Sequence, residues 1–258
     1  MACCMTVRDC EPFLPNIFKN IIRLSRLFPD FVLIVAYDHC QDNSESLLKE
    51  FQLKSLFPVY LLPSEFTSPY RTVRIAHARN RCLDKLDELD IHIHFMIDAD
   101  EVNIFPWNLT LIKYYLSNPD WDALSFNRKN YYDIWALMYP PFQHHCWGFF
   151  EKSREVVDFM KKDIQQQLEN CNGMFPCQSA FNGFAMYRTS VFKHQRYSGE
   201  YAQLKTLISD ESRKNTLLAL SDLGEIQLDE SFVQSCEHLY YHLSVPHARI
   251  YISKFSIL

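Results

Sequence analysis

The first hundred residues alternate between short, fully apolar runs and segments with apolar residues at helical spacing. Residues 31–37 are continuously apolar and rich in β-branched side chains, as expected for a strand that is buried on both faces. Similar runs occur at residues 2–7, 59–62 and 91–97. A helical segment follows each of the runs at residues 2–7, 31–37 and 59–62. This alternation predicts βα units, and therefore an α/β fold whose central sheet is mostly parallel and flanked by helices.

The helical segments of the first half cover residues 17–28, 44–51 and 71–89, and we expect Ser44 to cap the second of them. The second half is less regular. Its predicted elements are a helix at residues 106–116, a strand at 123–126, an irregular stretch at 131–148, a helix at 151–168, a strand at 184–187, a helical turn at 190–194, and helix with loops at 201–220. No repeat or flexible linker separates the halves. We therefore predict a single domain over residues 1–258, with a regular half (1–103) and an irregular half (104–258).

The composition excludes several classes of protein. With 258 residues, 48% of them apolar and 22% charged, the chain matches a compact globular protein rather than a disordered or fibrous one. A net charge of -5 provides no broad attraction for nucleic acid or for anionic membranes. No apolar run approaches the roughly 20 residues of a membrane-spanning helix, and the apolar start at residues 1–7 is too short for a secretory signal. We expect a cytoplasmic protein with no membrane span and no nucleic-acid partner.

The cysteines do not form a recognisable framework. There are nine of them, an odd number, and none occurs in a C-x-x-C pair. This pattern predicts reduced, mostly buried thiols rather than disulfides or a zinc finger. The sequence His144-His145-Cys146 has ligand-type side chains, but adjacent residues do not bring three side chains to one ion without an unusual backbone. We interpret this segment as a loop that lines a substrate site.

Two aspartates, Asp98 and Asp100, come directly after the apolar run at residues 91–97. Open α/β sheets bind their ligands at the carboxyl ends of the strands, so this position suits a functional site. Two carboxylates separated by one residue can bind a hard cation such as Mg²⁺ or Mn²⁺, directly or through water, and the cation can neutralise a diphosphate. An isolated Asp-x-Asp is often only a solvated turn, and the buried strand before it is what favours a metal site here.

Arg79 lies on the predicted helix that precedes the acidic strand, within the sequence Ala78-Arg79-Asn80. The planar guanidinium group donates paired hydrogen bonds to phosphate or carboxylate groups. A lone arginine of this kind can equally be a surface cation. The order of helix, strand and Asp-x-Asp, with Asn80 eighteen residues before Asp98, favours a position near the same edge of the sheet.

The order of elements resembles the glycosyltransferase-A fold, in which residues 37–44, after the second strand, would hold the nucleoside. Three further segments resemble fungal capsule-associated mannosyltransferases and glycosyltransferases of large DNA viruses. They are Tyr131-Tyr132-Asp133-Ile134-Trp135-Ala136-Leu137, Gln178-Ser179-Ala180-Phe181-Asn182-Gly183-Phe184-Ala185-Met186-Tyr187, and Cys236-Glu237-His238. The similarity extends over residues 3–252, nearly the whole chain.

The resemblance implies a metal-dependent transfer of a sugar from a UDP- or GDP-linked donor to a saccharide acceptor, and we predict inversion at the anomeric carbon. Residues 1–103 would bind the nucleotide, and residues 104–258 would form the acceptor side. The implied contacts are Thr6, Arg8, Asp38 and Arg79 for the nucleotide and its diphosphate, Asp133 and Trp135 for the acceptor, and Asn182 with Gly183 for the donor sugar or the acceptor. Asp98 can bind the metal, directly or through water, or bind the ribose. Trp135 can instead be a core aromatic residue, and Gly183 can serve a turn.

The late segment at residues 237–242 contains the other candidates for chemistry. Enzymes of the resembled fold often use a late histidine as a metal ligand and a late carboxylate as the general base. We predict His238 or His242 as the ligand, which favours Mn²⁺ over Mg²⁺ because imidazole is a poor ligand for Mg²⁺. The candidates for the base are Glu237 first and then Asp229 or Glu230, with Asp133 as a further catalytic candidate.

Three other functions compete with this interpretation. Phosphatases of the haloacid dehalogenase type carry Asp-x-Asp on their first core strand, whereas here the fourth strand carries it. A sugar-phosphate nucleotidyltransferase needs a glycine-rich loop near its start, and the first glycine of this chain is Gly148. A carbohydrate- or nucleotide-sugar-binding protein of the same fold without catalysis remains an alternative. The presence of both aspartates and of a candidate base argues against it.

Overall fold

One sheet of eight strands runs through the molecule, which the computed structural model describes over residues 1–258. The strands are β1 (Ala2–Val7), β2 (Val32–Tyr37), β3 (Val59–Pro63), β4 (Ile93–Asp98), β5 (Ala123–Asn127), β6 (Met174–Cys177), β7 (Phe184–Arg188) and β8 (Ile250–Ser256). Their order across the sheet is β3-β2-β1-β4-β7-β5-β8-β6. Strands from both halves of the chain share this sheet, and the predicted α/β fold with a mostly parallel central sheet is confirmed.

The regular half of the chain supplies an uninterrupted parallel block. β3, β2, β1 and β4 pair in parallel, so their carboxyl ends lie along one edge. β7 runs antiparallel between β4 and β5, and β8 pairs in parallel with β5. The edge strand β6 pairs antiparallel with β8. The edge formed by β1, β2 and β4 is the place where this topology positions a ligand site.

Eight α-helices surround the sheet. They are α1 (Leu14–Ser25), α2 (Ser44–Lys54), α3 (Arg71–Asp87), α4 (Leu109–Leu116), α5 (Ser153–Asn170), α6 (Tyr201–Lys205), α7 (Asp210–Ala219) and α8 (Glu237–Leu243). α1 begins at Leu14 rather than at residue 17, because Pro15 fits a first helical turn, where a backbone N–H has no partner to lose. Ser44 is the first residue of α2 rather than its cap, and its hydroxyl accepts a hydrogen bond from the Cys10 N–H (2.8 Å).

Two strands and one turn differ from the sequence predictions. β6 is not predicted because it is short and contains Pro176, which has no N–H to donate; the sheet tolerates this proline because β6 is an edge strand. β8 is not predicted either, although its pairing with β5 and β6 completes the sheet. Residues 190–194 form turns rather than the predicted helical turn.

Apolar side chains pack on both faces of the sheet. Alternate residues of β1 point to opposite faces, so Cys3 and Met5 join the core beneath α1, α2 and α4, whereas Ala2 and Cys4 join the core beneath α3, α6 and α8. A third apolar cluster packs under α5. All nine cysteines are unpaired and five are buried, in agreement with the predicted free thiols. None of the helices is long and apolar enough to cross a membrane.

Candidate functional site

A cavity of about 610 Å³ opens at the carboxyl ends of β1, β2 and β4. Ten of the residues singled out from the sequence line it: Thr6, Arg8, Asp38, Arg79, Asp98, Asp100, Asp133, Trp135, Glu237 and His238. The others do not line it: Asn182, Gly183, Asp229, Glu230, His242 and the segment His144-His145-Cys146. The fold therefore brings together side chains from the start, the middle and the end of the chain.

The acidic pair lies at the centre of this edge. Asp98 is the last residue of β4, and Asp100 caps the short 3-10 helix at Glu101–Asn103 through a hydrogen bond from the Val102 N–H (3.2 Å). The Tyr132 hydroxyl donates to the other oxygen of Asp100 (3.2 Å). Burial and the neighbouring charge of Asp98 raise the pKa of Asp100 to about 6. Two hard carboxylates that repel each other in a cavity suit a divalent cation of the Mg²⁺ or Mn²⁺ type.

Arg79 joins the acidic strand to the late helix. Its guanidinium donates to Asp98 (2.8 Å) and to Glu237 (2.9 Å), and it packs over the ring of Phe181 with 4.7 Å to the centroid. Burial opposes the charge of Arg79, but Glu237 and Asp98 outweigh burial and raise its pKa. The third nitrogen, Nη1, has no hydrogen-bond partner although it is buried. Glu237, which is 5% exposed, serves in this arrangement as a counter-ion.

Asp133, like Asp100 but unlike Asp98 and Glu237, is not paired with a cation. It starts the 3-10 helix at Ile134–Ala136, where its Oδ1 accepts from the Ala136 N–H (3.3 Å). Burial, together with the charges of Asp98 and Glu237, raises the pKa of Asp133 to about 7. A carboxyl group with this pKa can hold or release a proton near neutral pH.

A buried arginine that the sequence reasoning missed supports the acidic pair from behind. Arg128, which is 6% exposed, donates to the carbonyls of Val102 and Asn182 and to the side chain of Asn103 (3.0 Å). Asn103 in turn donates to the carbonyls of Asp98 and Gly183, both at 2.8 Å. The only sequence feature that could have indicated this role is the position of Arg128 directly after β5. The sequence does not distinguish such an arginine from an exposed one.

Asn182 and Gly183 also support the site rather than line it. Both have a positive φ, 57° and 82°. The Asn182 side chain accepts from the Asp133 N–H (2.9 Å) and donates to the Phe126 carbonyl (2.8 Å), so it positions the start of the Asp133 segment. A Cβ at Gly183 would lie 2.7 Å from Val102 Cγ2 and 3.7 Å from Asp98 Oδ2. Glycine therefore permits the close packing behind the acidic pair.

The late histidines have different surroundings. His238 lines the cavity, stacks on Phe181 (3.8 Å between centroids), and has no hydrogen bond at either ring nitrogen. It does not form a compact ligand set with Asp98 and Asp100, because only Asp9, Cys40 and Asp42 place three ligand atoms of the His, Cys, Asp and Glu type within 4.8 Å of one another.

Two residues predicted from the sequence lie away from the cavity. His242 lies in the core, where its ring nitrogens are bonded to Ser179 (2.8 Å) and to Tyr187 (3.0 Å). Asp229 lies outside the cavity lining, and its carboxylate accepts a hydrogen bond from the Ser231 N–H (2.8 Å).

The cavity also has an aromatic wall and a basic rim. The rings of Trp135 and Trp147 lie 4.8 Å apart at 36°, and both line the cavity. Arg71 and Arg74, from the first turn of α3, line it as well. The sequence reasoning missed Trp147 because residues 131–148 have no periodicity. It assigned no role to Arg71 or Arg74, which lie at the start of the helix predicted at residues 71–89.

No family model matches this chain, and no curated protein matches it. Solved structures do. TarS from S. aureus has a TM-score of 0.50 and 11% identity, covering 97% of this chain and 34% of that chain. A mannosyltransferase from Pyrobaculum calidifontis, in complex with GDP-Man and Mn²⁺, has a TM-score of 0.48 and 11% identity over 98% of this chain and 56% of that chain.

Glucosyl-3-phosphoglycerate synthase from M. tuberculosis has a TM-score of 0.45 and 14% identity, covering 74% of this chain and 57% of that chain. This chain therefore matches only about a third to little more than half of the length of these proteins. The likeness to TarS shows that the chain has the GT-A glycosyltransferase fold. The narrower resemblance to fungal and viral enzymes stays a prediction.

Proposed function

We propose that this chain is a metal-dependent glycosyltransferase that transfers a sugar from a nucleotide-sugar donor to a saccharide acceptor. The observation that carries the proposal is the convergence of Asp98, Asp100, Arg79 and Asp133 on one cavity at the carboxyl ends of the parallel strands. The cavity has the size of a small-molecule site, for which a few hundred Å³ is typical. Its mixture of acids, cations and tryptophans suits a charged donor beside a sugar.

The nucleotide is proposed to bind where β1 and β2 end. Thr6 and Arg8 line the cavity there, and Arg8 is held by an ion pair with Asp38 (3.1 Å). Arg71 and Arg74 on the rim can donate hydrogen bonds to a diphosphate. The donor is proposed to be UDP- or GDP-linked.

Asp98 and Asp100 are the residues that would hold Mn²⁺ or Mg²⁺. His238 lines the same cavity but does not form a compact ligand set with them. When bound, the ion would neutralise the donor diphosphate and stabilise the departing nucleoside diphosphate. Arg79 neutralises part of the charge of Asp98. Asp98 and Asp100 together therefore present less than two full negative charges to the donor. The aspartates orient the diphosphate end, while Trp135 and Trp147 can stack on a sugar.

We assign Asp133 as the general base and Glu237 as the residue that positions Arg79. A general base works best when its pKa lies near the operating pH, and the pKa of Asp133, raised to about 7 by burial and by the charges of Asp98 and Glu237, meets this condition. Glu237 already accepts a hydrogen bond from Arg79 Nε, and using it as a base would leave a buried arginine partly unpaired. In the proposed step the acceptor hydroxyl gives its proton to Asp133, its oxygen bonds to the anomeric carbon, and the bond to the diphosphate breaks with inversion.

The test separates binding from transfer. Thermal melts with UDP, GDP and their sugars, with and without Mn²⁺, should show stabilisation of the wild type that depends on Mn²⁺. Asp100→Asn should lose that dependence, whereas Asp133→Asn should keep it and lose transfer by on the order of 100-fold or more. Asp222→Asn, an exposed change away from the cavity, is the matched control.

Three outcomes would contradict the proposal in different ways. The absence of stabilisation by every nucleotide would remove the nucleotide-sugar function. Stabilisation without turnover of any donor would favour a binding protein of this fold. Full activity of Asp100→Asn, or of the wild type in EDTA, would remove the metal from the mechanism.

A further inference from the structure

Away from the acidic pair, three buried side chains bring together five polar atoms that have no hydrogen-bond partner. They are both ring nitrogens of His144, both ring nitrogens of His145 and the hydroxyl of Tyr201. Each of these residues is at most 2% exposed. The ring centroids lie 4.6 Å apart for the two histidines and 4.4 Å apart for His145 and Tyr201. Folded proteins rarely bury so many polar atoms without partners, so the cluster suits a bound ligand.

The backbone at Gly148 lets the two imidazoles reach one place. A Cβ on this glycine would lie 2.6 Å from His144 Nε2 and 2.8 Å from His145 Nε2, so the same nitrogen of each ring approaches one point. The Gly148 N–H donates to the His145 carbonyl (3.1 Å), and its carbonyl accepts from the Asp229 N–H (3.0 Å), which closes the turn. A side chain at Gly148 would fill the space that the rings face.

The adjacent spacing of His144, His145 and Cys146 argues against one ion for all three, and Cys146 does pack elsewhere, in the core beneath α5. The turn at residues 145–148 nevertheless turns both histidines toward the same side. The ring nitrogens of both histidines are not engaged by any other side chain, so their lone pairs are available to a ligand.

We propose that His144 and His145 bind a late first-row divalent cation, Zn²⁺ for preference, through their Nε2 atoms, with Tyr201 or water completing the coordination. Neutral imidazole is a good ligand for Zn²⁺ and a poor one for Mg²⁺ or Ca²⁺. Asp229, whose N–H donates to the Gly148 carbonyl (3.0 Å), is placed beside the turn and can serve as an outer partner. This site is separate from the acidic pair, which offers oxygen ligands from other elements.

The position of the turn gives the site a structural role. Trp147 lies within the turn, lines the substrate cavity, and packs against Trp135. An ion held by His144 and His145 fixes the backbone that leads directly into Trp147. The ion therefore orders the aromatic wall of the cavity without contacting the substrate.

The test is Zn²⁺ binding by the whole chain, measured by equilibrium dialysis and elemental analysis. We expect one Zn²⁺ per chain in the wild type, and the same in the double variant Asp98→Asn/Asp100→Asn, which removes the acidic pair. His144→Ala and His145→Ala should each weaken Zn²⁺ binding at least about tenfold, since even changes outside the ligand shell cost that much. His247→Ala, an exposed histidine, is the control and should bind as the wild type does.

X-ray absorption at the zinc edge on the wild type and on the acidic-pair variant tests the ligands even where a histidine variant fails to fold. Two imidazole ligands are expected in both proteins. Less than stoichiometric Zn²⁺ in the wild type, unchanged affinity in a folded histidine variant, or a spectrum without imidazole would overturn the proposal and leave only buried water at these atoms. None of these results bears on the proposed sugar transfer.

Discussion

Acidic side chains in the same cavity have different tasks, because only some of them pair with Arg79. Glu237 and Asp98 both pair with Arg79, and this pairing keeps the buried arginine charged. Asp133 is near the same charges but has only a backbone partner, the Ala136 N–H. By residue type alone, Asp98, Asp133 and Glu237 are equivalent carboxylates. Pairing with Arg79 makes Asp98 and Glu237 counter-ions, whereas Asp133, which has no cation partner, can exchange a proton.

The first prediction at this scale concerns Asp133 and pH. An ordinary Asp has a pKa of about 3.9, whereas that of Asp133 is about 7. Between these values the folded state keeps a proton that the unfolded chain releases, so the stabilising contribution is full below about pH 4 and is lost as the pH rises through 7. Asp133→Asn should therefore become more stable relative to the wild type over this range, by about 2 to 4 kcal/mol. Urea unfolding between pH 4.5 and 8 measures this difference.

The Asp222→Asn control should show a pH dependence parallel to that of the wild type. A parallel curve for Asp133→Asn would mean that this carboxyl is ionised in the folded protein at every pH tested, and Asp133 would then lose its assignment as a base tuned to neutral pH.

The second prediction at this scale concerns Gly183. Gly183→Ala should destabilise the fold by about 2 to 3 kcal/mol, because the alanine meets both a positive φ and a Val102 methyl. Gly173→Ala is the matched control, since Gly173 has φ 92° but nothing within 4 Å of its Cβ, and it should cost only about 1 kcal/mol. The double variant Gly183→Ala/Val102→Ala should recover part of the loss. Equal costs at Gly183 and Gly173 in chemical unfolding would show that the contact with Val102 is unimportant.

At the scale of elements, the site depends on a network that joins the end of β4, the segment after β5 and the turn before β7. Arg128 donates to three acceptors in this network, and Asn103 extends it to the carbonyl of Asp98. These segments are far apart in the sequence, and each is irregular. The network therefore converts three loops into one rigid support for the acidic pair.

The prediction at the element scale is that this support needs the arginine itself. Arg128→Met should destabilise the protein by about 3 kcal/mol or more, because it leaves buried acceptors without donors. Arg128→Lys should recover little, since an ammonium group cannot reproduce the planar arrangement of donors. Arg154→Met, on the exposed side of α5, should change stability by less than about 0.5 kcal/mol. Unfolding free energies and Mn²⁺-dependent nucleotide binding provide the measurement, and wild-type values for Arg128→Met would contradict the role of the network.

At the scale of the whole molecule, the sheet joins both halves of the chain without covalent crosslinks. Cys3, Cys4, Cys82, Cys146 and Cys236 are buried in the packed layers, and no cysteine is paired. Burial raises the pKa of Cys3, which disfavours the reactive thiolate. The stability of the fold thus depends on apolar packing on the two faces of the sheet.

The prediction at this scale is a count of thiols. In the folded protein a colorimetric disulfide reagent should react with at most the four partly exposed cysteines, Cys10, Cys40, Cys171 and Cys177. In denaturant without reductant all nine should react, and added reductant should leave the melting temperature unchanged. Fewer than nine reactive thiols in the unfolded chain would reveal a disulfide.

The sequence alone determined the parallel character of the sheet and the residues proposed for the centre of the site. Apolar runs that alternate with helices predict parallel strands, and Asp98 and Asp100 follow the end of one of these strands, β4, with Arg79 on the helix before it. β6 escaped prediction because it is short and contains Pro176, and β8 became apparent only from its pairing with β5 and β6. Only the tertiary structure showed that His238 lines the cavity whereas His242 lies in the core. It alone also showed that Arg128, Asn182 and Gly183 support the acidic pair from behind. Those roles depend on which atoms meet across distant loops, and local periodicity carries no information about such contacts.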